Sequence, residues 1–148
     1  DVTWELMEKI GKKPVALKRE ALGFIGNRLQ LALLREALYI VQEGIATPEA
    51  VDATVRYSLG RRYGVTGPLE SADLGGLDIF QNISAYLYKD LCNDPISSPL
   101  LAETVARGDL GAKTGKGFYD WTKPEVLGKL KKEREAVLIE WLQKDKKQ

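Results

Sequence analysis

Gly23-Phe24-Ile25-Gly26-Asn27-Arg28-Leu29, with the apolar run that follows through Val41, decides how the fold is read. Two glycines bracket an aromatic and a β-branched residue, and one amide and one guanidinium follow. Leu29, Leu33, Leu34, Ala37, Leu38 and Val41 then recur at steps of three and four, the period of one helix face. Leu31, Ala32, Tyr39 and Ile40 are apolar on the remaining faces. A helix apolar nearly all round is expected to be buried between neighbours, so this is read as the central helix. Its start carries the one compact polar group placed for a ligand.

The rest of the composition sets limits. The chain has 148 residues, 44% hydrophobic and 29% charged, which suits a folded domain with one core. Its formal net charge of +1 provides no field that would draw nucleic acid or an anionic membrane. Arg28, Arg35, Glu36 and Glu43 interrupt the longest apolar stretch, which excludes it as a membrane span. A single cysteine, Cys92, excludes an intrachain disulfide and favours a reducing, cytoplasmic setting. There is no histidine, hence no imidazole base and no Ser-His or Cys-His pair in the chain.

Outward from the central helix, the pattern predicts mostly helices. Val2, Leu6, Met7 and Ile10 share one face of a first helix, and Gly11 is a natural stop. Lys12 to Lys18 is expected to form a short strand, with Pro14 near its start. One helix and one strand make no sheet domain; they resemble the last αβ unit of a domain whose other strands are absent. The central helix should run from about Phe24 to Glu43. Thr47-Pro48-Glu49 reads as a helix start with a hydroxyl cap and Pro at the first helical position. That helix is expected to end near Gly60, with Arg61 to Gly64 as a basic, aromatic connection. Gly67-Pro68 and Ser98-Pro99 open further helices by the same logic. A helix from Leu77 should reach about Leu91, and Thr122-Lys123-Pro124-Glu125 resembles a capping box before the last one. Lys144 to Gln148 is expected to fray. Five helices with short connections make an all-α bundle.

Several motifs invite chemistry. Gly111-Ala112-Lys113-Thr114-Gly115-Lys116-Gly117 has the glycines of a phosphate loop but not its spacing. Three residues, not four, separate the first glycine from Gly-Lys, and Gly117 takes the hydroxyl position. A structural loop ending in Phe118, Tyr119 and Trp121 is the better reading, with Lys113 and Lys116 as phosphate contacts the other. Asn27 can donate and accept at once, so it could hold a carbonyl or hydroxyl of a ligand, or simply bond local backbone. Arg28 reads as an ion-pair or rim residue. Glu70, Asp73 and Asp78 need not converge, and helix starts explain Glu70. Arg56, Arg61 and Arg62 with Tyr57 and Tyr63 read as a solvated face sooner than as a phosphate site. Cys92 reads as structural.

Four segments taken together resemble the L-3-hydroxyacyl-CoA dehydrogenase family. They are Lys12-Lys13-Pro14-Val15, then Gly23 to Leu29, then Gly67-Pro68-Leu69-Glu70-Ser71-Ala72-Asp73-Leu74-Gly75-Gly76-Leu77-Asp78, then Lys113-Thr114-Gly115-Lys116-Gly117-Phe118-Tyr119-Asp120. The likeness runs in order from about Glu8 to Trp121. Bacterial 3-hydroxybutyryl-CoA dehydrogenases look most alike, with gulonate dehydrogenase (lambda-crystallin-like) proteins as near relatives.

The resemblance implies an enzyme of fatty acid and butanoate metabolism with two domains. One is an N-terminal Rossmann domain that binds NAD. The other is an all-α C-terminal domain, a bundle like that of 6-phosphogluconate dehydrogenase, which binds the acyl-CoA substrate and forms a homodimer. On this reading residues 1–20 are the end of the Rossmann domain, residues 21–148 are the helical domain, and the chain is a fragment. The implied catalysis removes a proton from the 3-hydroxyl through a His held by a Glu, with hydride passing to NAD. Those groups would lie in the other domain, so the chain alone is expected to be inactive. Of the family's active-site residues only the Asn of the Gly-Phe-Ile-x-Asn-Arg motif carries over, to Asn27. The family usually has Pro before that Gly; here Leu22 stands there, which changes the stiffness of the hinge but not the amide. A dehydrogenase acting on a sugar acid and a stand-alone helical dimerisation module are the alternatives.

Overall fold

The structure, a computed structural model, describes residues 2–145. Helices account for its regular structure: α1 Val2–Lys9, α2 Phe24–Gln42, α3 Pro48–Thr54, α4 Gly60–Tyr63, α5 Pro68–Gly75, α6 Leu77–Leu87, α7 Pro99–Ala106 and α8 Pro124–Asp145, with a π-helical turn Val55–Leu59 between α3 and α4. The all-α class holds. The chain divides into two compact units. Leu29–Arg107 forms one, and the segments on either side of it form the other.

The helix starts follow from local chemistry. Thr47 has extended backbone, and its hydroxyl oxygen accepts the amide of Ala50 at 3.3 Å, with Pro48 in the first turn. At α5 the capping residue is Gly67, which has no side chain to offer. Glu70 therefore makes only half of a capping box, its Oε2 accepting the Gly67 amide at 2.8 Å. The stops at Gly11, Gly44 and Gly108 have positive φ, as glycine stops should. Between α5 and α6, Gly76 takes a φ of 94°. A Cβ on Gly75 would lie 2.8 Å from Cε2 of Phe80, so two glycines let α6 fold back against α5.

Four expectations need correction. Lys12 to Lys18 is extended but forms no strand, because a strand exists only against a hydrogen-bonding partner and none pairs with it among the described residues. The helix from Pro48 does not end near Gly60: it widens into the π turn and continues through Tyr63, so Arg61 and Arg62 are helical. Gly60 keeps right-handed backbone (φ −63°) and its amide donates to the carbonyl of Val55, five residues back. A Cβ there would sit 3.0 Å from that carbonyl oxygen, so Gly60 is compact enough to allow the widened turn rather than being a stop. The helix from Leu77 ends at Leu87, short of Leu91, and the chain beyond it is drawn to α2 instead. Finally, α8 starts at Pro124, which puts Thr122 one residue too early for a capping box; its hydroxyl and amide both donate to Asp120 Oδ1 at 2.6 and 2.8 Å.

Burial is the largest departure. Of α2, only Leu38 is buried; Leu29, Leu31, Leu33 and Leu34 are exposed. The nearly all-round apolar helix is thus not enclosed by its own chain. α8 runs to Asp145, where Lys144 pairs with Glu140 at 2.7 Å, so the fraying expected from Lys144 does not reach that turn. Residues 146–148 lie outside the described residues.

Candidate functional site

The first turn of α2 is entered through a kink. Gly23 has φ 78°, and Phe24, a residue with a side chain, has φ 50°. The left-handed region suits glycine and costs a side-chain-bearing residue roughly 1–2 kcal/mol. Two hydrogen bonds hold the kink: the amide of Phe24 donates to the carbonyl of Ala21 at 3.0 Å, and Arg28 Nη1 donates to the carbonyl of Leu22 at 3.4 Å. A Cβ on Gly23 would lie 3.6 Å from both Asn27 Cβ and Arg28 Cγ, so the first turn closes over the glycine.

Asn27 emerges from this turn exposed, and nothing among the described residues hydrogen-bonds its carboxamide. Of the two readings of Asn27, bonding to local backbone is therefore not what the fold displays. The amide keeps both a donor and an acceptor for another molecule or domain. Arg28 makes no ion pair among the described residues; it reaches back to the backbone.

The glycine loop is built differently from a phosphate cradle. The amide of Gly111 donates to the carbonyl of Lys116 at 2.7 Å, that of Gly117 to Tyr119 at 3.0 Å, and that of Trp121 to Gly115 at 2.8 Å. These three amides point at the loop's own carbonyls and so are not turned toward an anion. Lys116 lies 4.0 Å from the carboxylate of Asp109. A Cβ on Gly117 would fall 2.8 Å from Cα of Gly111, so that glycine serves close backbone approach. Tyr119 and Trp121 pack ring to ring at 5.6 Å. These contacts brace the loop on itself.

The remaining candidates do not assemble into chemistry. Glu70 is engaged at the start of α5, and Asp78 sits in the first turn of α6. Arg61 lies over the ring of Tyr57 at 5.0 Å, a cation–π contact on an exposed helix. No group of three His, Cys, Asp or Glu residues among those described could hold a metal ion. No helix among them is long and apolar enough to cross a membrane.

One feature escaped the periodicity. Charged and polar residues interrupt the apolar run of α2 at Arg35, Glu36 and Gln42, and each reaches the 92–100 connection. Glu36 Oε2 accepts the amide of Cys92 at 2.8 Å, Arg35 Nη1 donates to the carbonyl of Asp94 at 3.4 Å, and Gln42 Oε1 accepts the hydroxyl of Ser98 at 2.9 Å. Polar residues seven apart inside an apolar helix are the signal that could have found it. Arg35 and Gln42 line a recess with Tyr39, Cys92 and Ile96 that offers about 20 Å³, room for one water and not for a substrate. Loss of hydration there, with Glu43, Asp90, Cys92 and Glu36 nearby, pushes the Tyr39 phenol above its ordinary value. Cys92 is half-buried.

Comparison with known proteins places this arrangement. Residues 23–121 match the model of the 3-hydroxyacyl-CoA dehydrogenase C-terminal domain, a segment that starts at the kink and ends with the glycine loop. The chain belongs to that family, whose members are oxidoreductases. It is 36% identical over 135 residues to 5-formyl-3-hydroxy-2-methylpyridine 4-carboxylate 5-dehydrogenase of Mesorhizobium japonicum, covering 91% of this chain and 43% of that one. It is 41% identical over 117 residues to a probable 3-hydroxybutyryl-CoA dehydrogenase of Bacillus subtilis, covering 78% and 39%. A rabbit (Oryctolagus cuniculus) lambda-crystallin is 46% identical over 74 residues, covering 50% and 23%. Among solved structures, a 5-formyl-3-hydroxy-2-methylpyridine 4-carboxylic acid 5-dehydrogenase, an NAD+ dependent dismutase, superposes with a TM-score of 0.88 at 35% identity, covering 93% of this chain and 44% of that one. The chain spans less than half the length of these relatives.

Proposed function

We propose that this chain is the C-terminal, substrate-binding and dimerising domain of an NAD-dependent 3-hydroxyacyl-CoA dehydrogenase, an enzyme that oxidises a 3-hydroxyacyl-CoA to the 3-oxoacyl-CoA. Residues 1–20 are the end of a Rossmann domain and residues 21–148 the helical domain. NAD is held by the Rossmann domain, since the glycine loop of this chain engages its own amides. The observation that carries the reading is Asn27: an exposed amide without a hydrogen-bond partner among the described residues, in the first turn of α2 and within the segment matched by the family. Its role is to hydrogen-bond the substrate's oxygen, or a catalytic group beside it, and so fix the orientation of the reacting carbon.

The chain alone has neither a histidine nor a dinucleotide cradle, so it should not reduce NAD with any 3-hydroxyacyl-CoA. The encoded protein carrying it should do so, and Asn27→Ala in that protein should lower kcat about 100-fold, the cost of losing orientation by about an ångström. Full kcat in that variant would remove Asn27 from the site.

A second copy of the chain is the proposed cover for the exposed leucines of α2, because a soluble monomer seldom leaves so much contiguous apolar surface in water. Sedimentation that finds only monomer at micromolar concentration would count against it. A cytoplasmic location goes with the reading, supported by the single, unpaired Cys92.

One observation favours a second substrate. The pyridine-carboxylate dehydrogenase of Mesorhizobium japonicum aligns over 91% of the chain, more than the 78% of the Bacillus subtilis hydroxybutyryl-CoA enzyme. A heteroaromatic hydroxymethyl or formyl carboxylate is therefore the alternative to an acyl-CoA. Assays of the encoded protein with NAD and 3-hydroxybutyryl-CoA, gulonate and 5-formyl-3-hydroxy-2-methylpyridine 4-carboxylate separate these readings by kcat/KM.

A further inference from the structure

We infer that Arg28 is a positioning residue, which holds the left-handed kink at Gly23 and Phe24 closed so that Asn27 is presented in one orientation. The inference rests on the reading of Asn27 as a substrate contact. The kink is intrinsically costly, because Phe24 has φ 50° and a side chain on its Cα. Strained backbone persists only where its surroundings hold it. Two bonds do so here. One is the turn between Phe24 and Ala21, which belongs to the kink itself. The other is the 3.4 Å bond from Arg28 Nη1 to the carbonyl of Leu22, the side-chain bond that crosses the kink among the described residues.

The geometry couples that bond to Asn27. Asn27 and Arg28 are consecutive in the first turn of α2, and both pack at 3.6 Å from the position a Cβ on Gly23 would occupy. The guanidinium pulls on the residue before the glycine while the first turn leans on the glycine from the other side. Loss of the bond lets Gly23 and Phe24 leave the left-handed region, and the first turn, with Asn27, tilts with them. Leu22 contributes to the need for this clamp. It leaves the residue before Gly23 without the fixed φ that proline would supply.

A double-mutant cycle in the encoded protein tests this, with whichever substrate of the panel above turns over. Arg28→Met keeps the length of the stem and removes the donor; Arg28→Lys keeps a donor and the charge. Arg28→Met should lower kcat about tenfold with KM nearly unchanged, and Arg28→Lys should restore most of it. In an Asn27→Ala background, Arg28→Met should change kcat by less than about twofold, because a group that acts through Asn27 has nothing left to position. Equal effects of Arg28→Met in both backgrounds would overturn the inference while leaving Asn27 in the site. An Asn27→Ala variant with full kcat, or no turnover on the panel, would overturn both. Circular dichroism of each variant, with helicity equal to the parent's, certifies that folding is intact; loss of helicity in Arg28→Met that Arg28→Lys does not repair would mark Arg28 as structural and overturn its positioning role.

Discussion

Glu36 Oε2 accepts the backbone amide of Cys92 at 2.8 Å, joining residues 56 positions apart. This bond fastens the chain beyond α6 to the middle of α2, and it holds the Cys92 amide away from helical bonding. An amide that donates to Glu36 is not available for a further helical turn. Glu36→Ala should destabilise the fold by about 1–3 kcal/mol, the cost of leaving a half-buried amide without its charged acceptor. Glu36→Gln retains an acceptor oxygen and should lose less. Urea unfolding of the three proteins checks the order.

Two glycines should respond to alanine with opposite signs. Gly117→Ala puts a methyl 2.8 Å from Cα and 3.1 Å from N of Gly111, both backbone atoms that cannot move aside. Overpacking of this kind costs about 1–3 kcal/mol. Gly128 lies inside α8 with nothing within 4 Å of its would-be Cβ, so Gly128→Ala should stabilise by roughly 0.5–1 kcal/mol through helix propensity. The shifts in thermal midpoint should have opposite directions.

In acid, stability should fall partly through Asp120. Bonds from the Thr122 hydroxyl and then its amide hold the Asp120 carboxyl below its ordinary value of 3.8. The stabilisation is present above 3.8 and is lost as pH falls through the lower, folded value. Glu49 behaves alike, lowered first by its own backbone amide and then by Thr47. Thermal midpoints measured down the acid range should fall less steeply for Asp120→Asn than for the parent.

In alkali the sign reverses at Tyr39. Its phenol is raised above 10.0, chiefly by loss of hydration, so the unfolded chain ionises first. The stabilisation is complete below 10.0 and is lost as pH rises through the higher, folded value. Tyr39→Phe has no proton to lose, and its midpoint should fall less between pH 10 and the alkaline limit.

If a second copy covers α2, the thermal midpoint should rise with protein concentration, since association stabilises only the folded state. A midpoint constant over a hundredfold dilution range would argue for a monomer.

Helix starts were legible wherever a residue could satisfy its own neighbourhood. Thr47-Pro48, Gly67-Pro68 and Ser98-Pro99 announce helices because proline fixes the backbone of the first turn, and at Thr47 the hydroxyl caps it as well. The stops at Gly11, Gly44 and Gly108 are equally local, since left-handed backbone is a property of one residue. Asn27 could be singled out from the sequence, but its two readings could not be separated there. That required knowing which partners the fold leaves it, and the fold leaves it none among the described residues.

What depended on distant partners was decided by the tertiary structure alone. Lys12 to Lys18 has strand composition, yet no strand forms without a second edge to bond. Gly60 has the look of a stop, yet it accommodates the Val55 carbonyl in a widened turn and the helix continues. Arg35 and Glu36 read as breaks in an apolar run, but with Gln42 they are the groups that fasten the 92–100 connection to α2. The apolar period of α2 was evident from its residues. That so much of it faces outward was not, because periodicity records which side chains avoid water and says nothing of what will cover them.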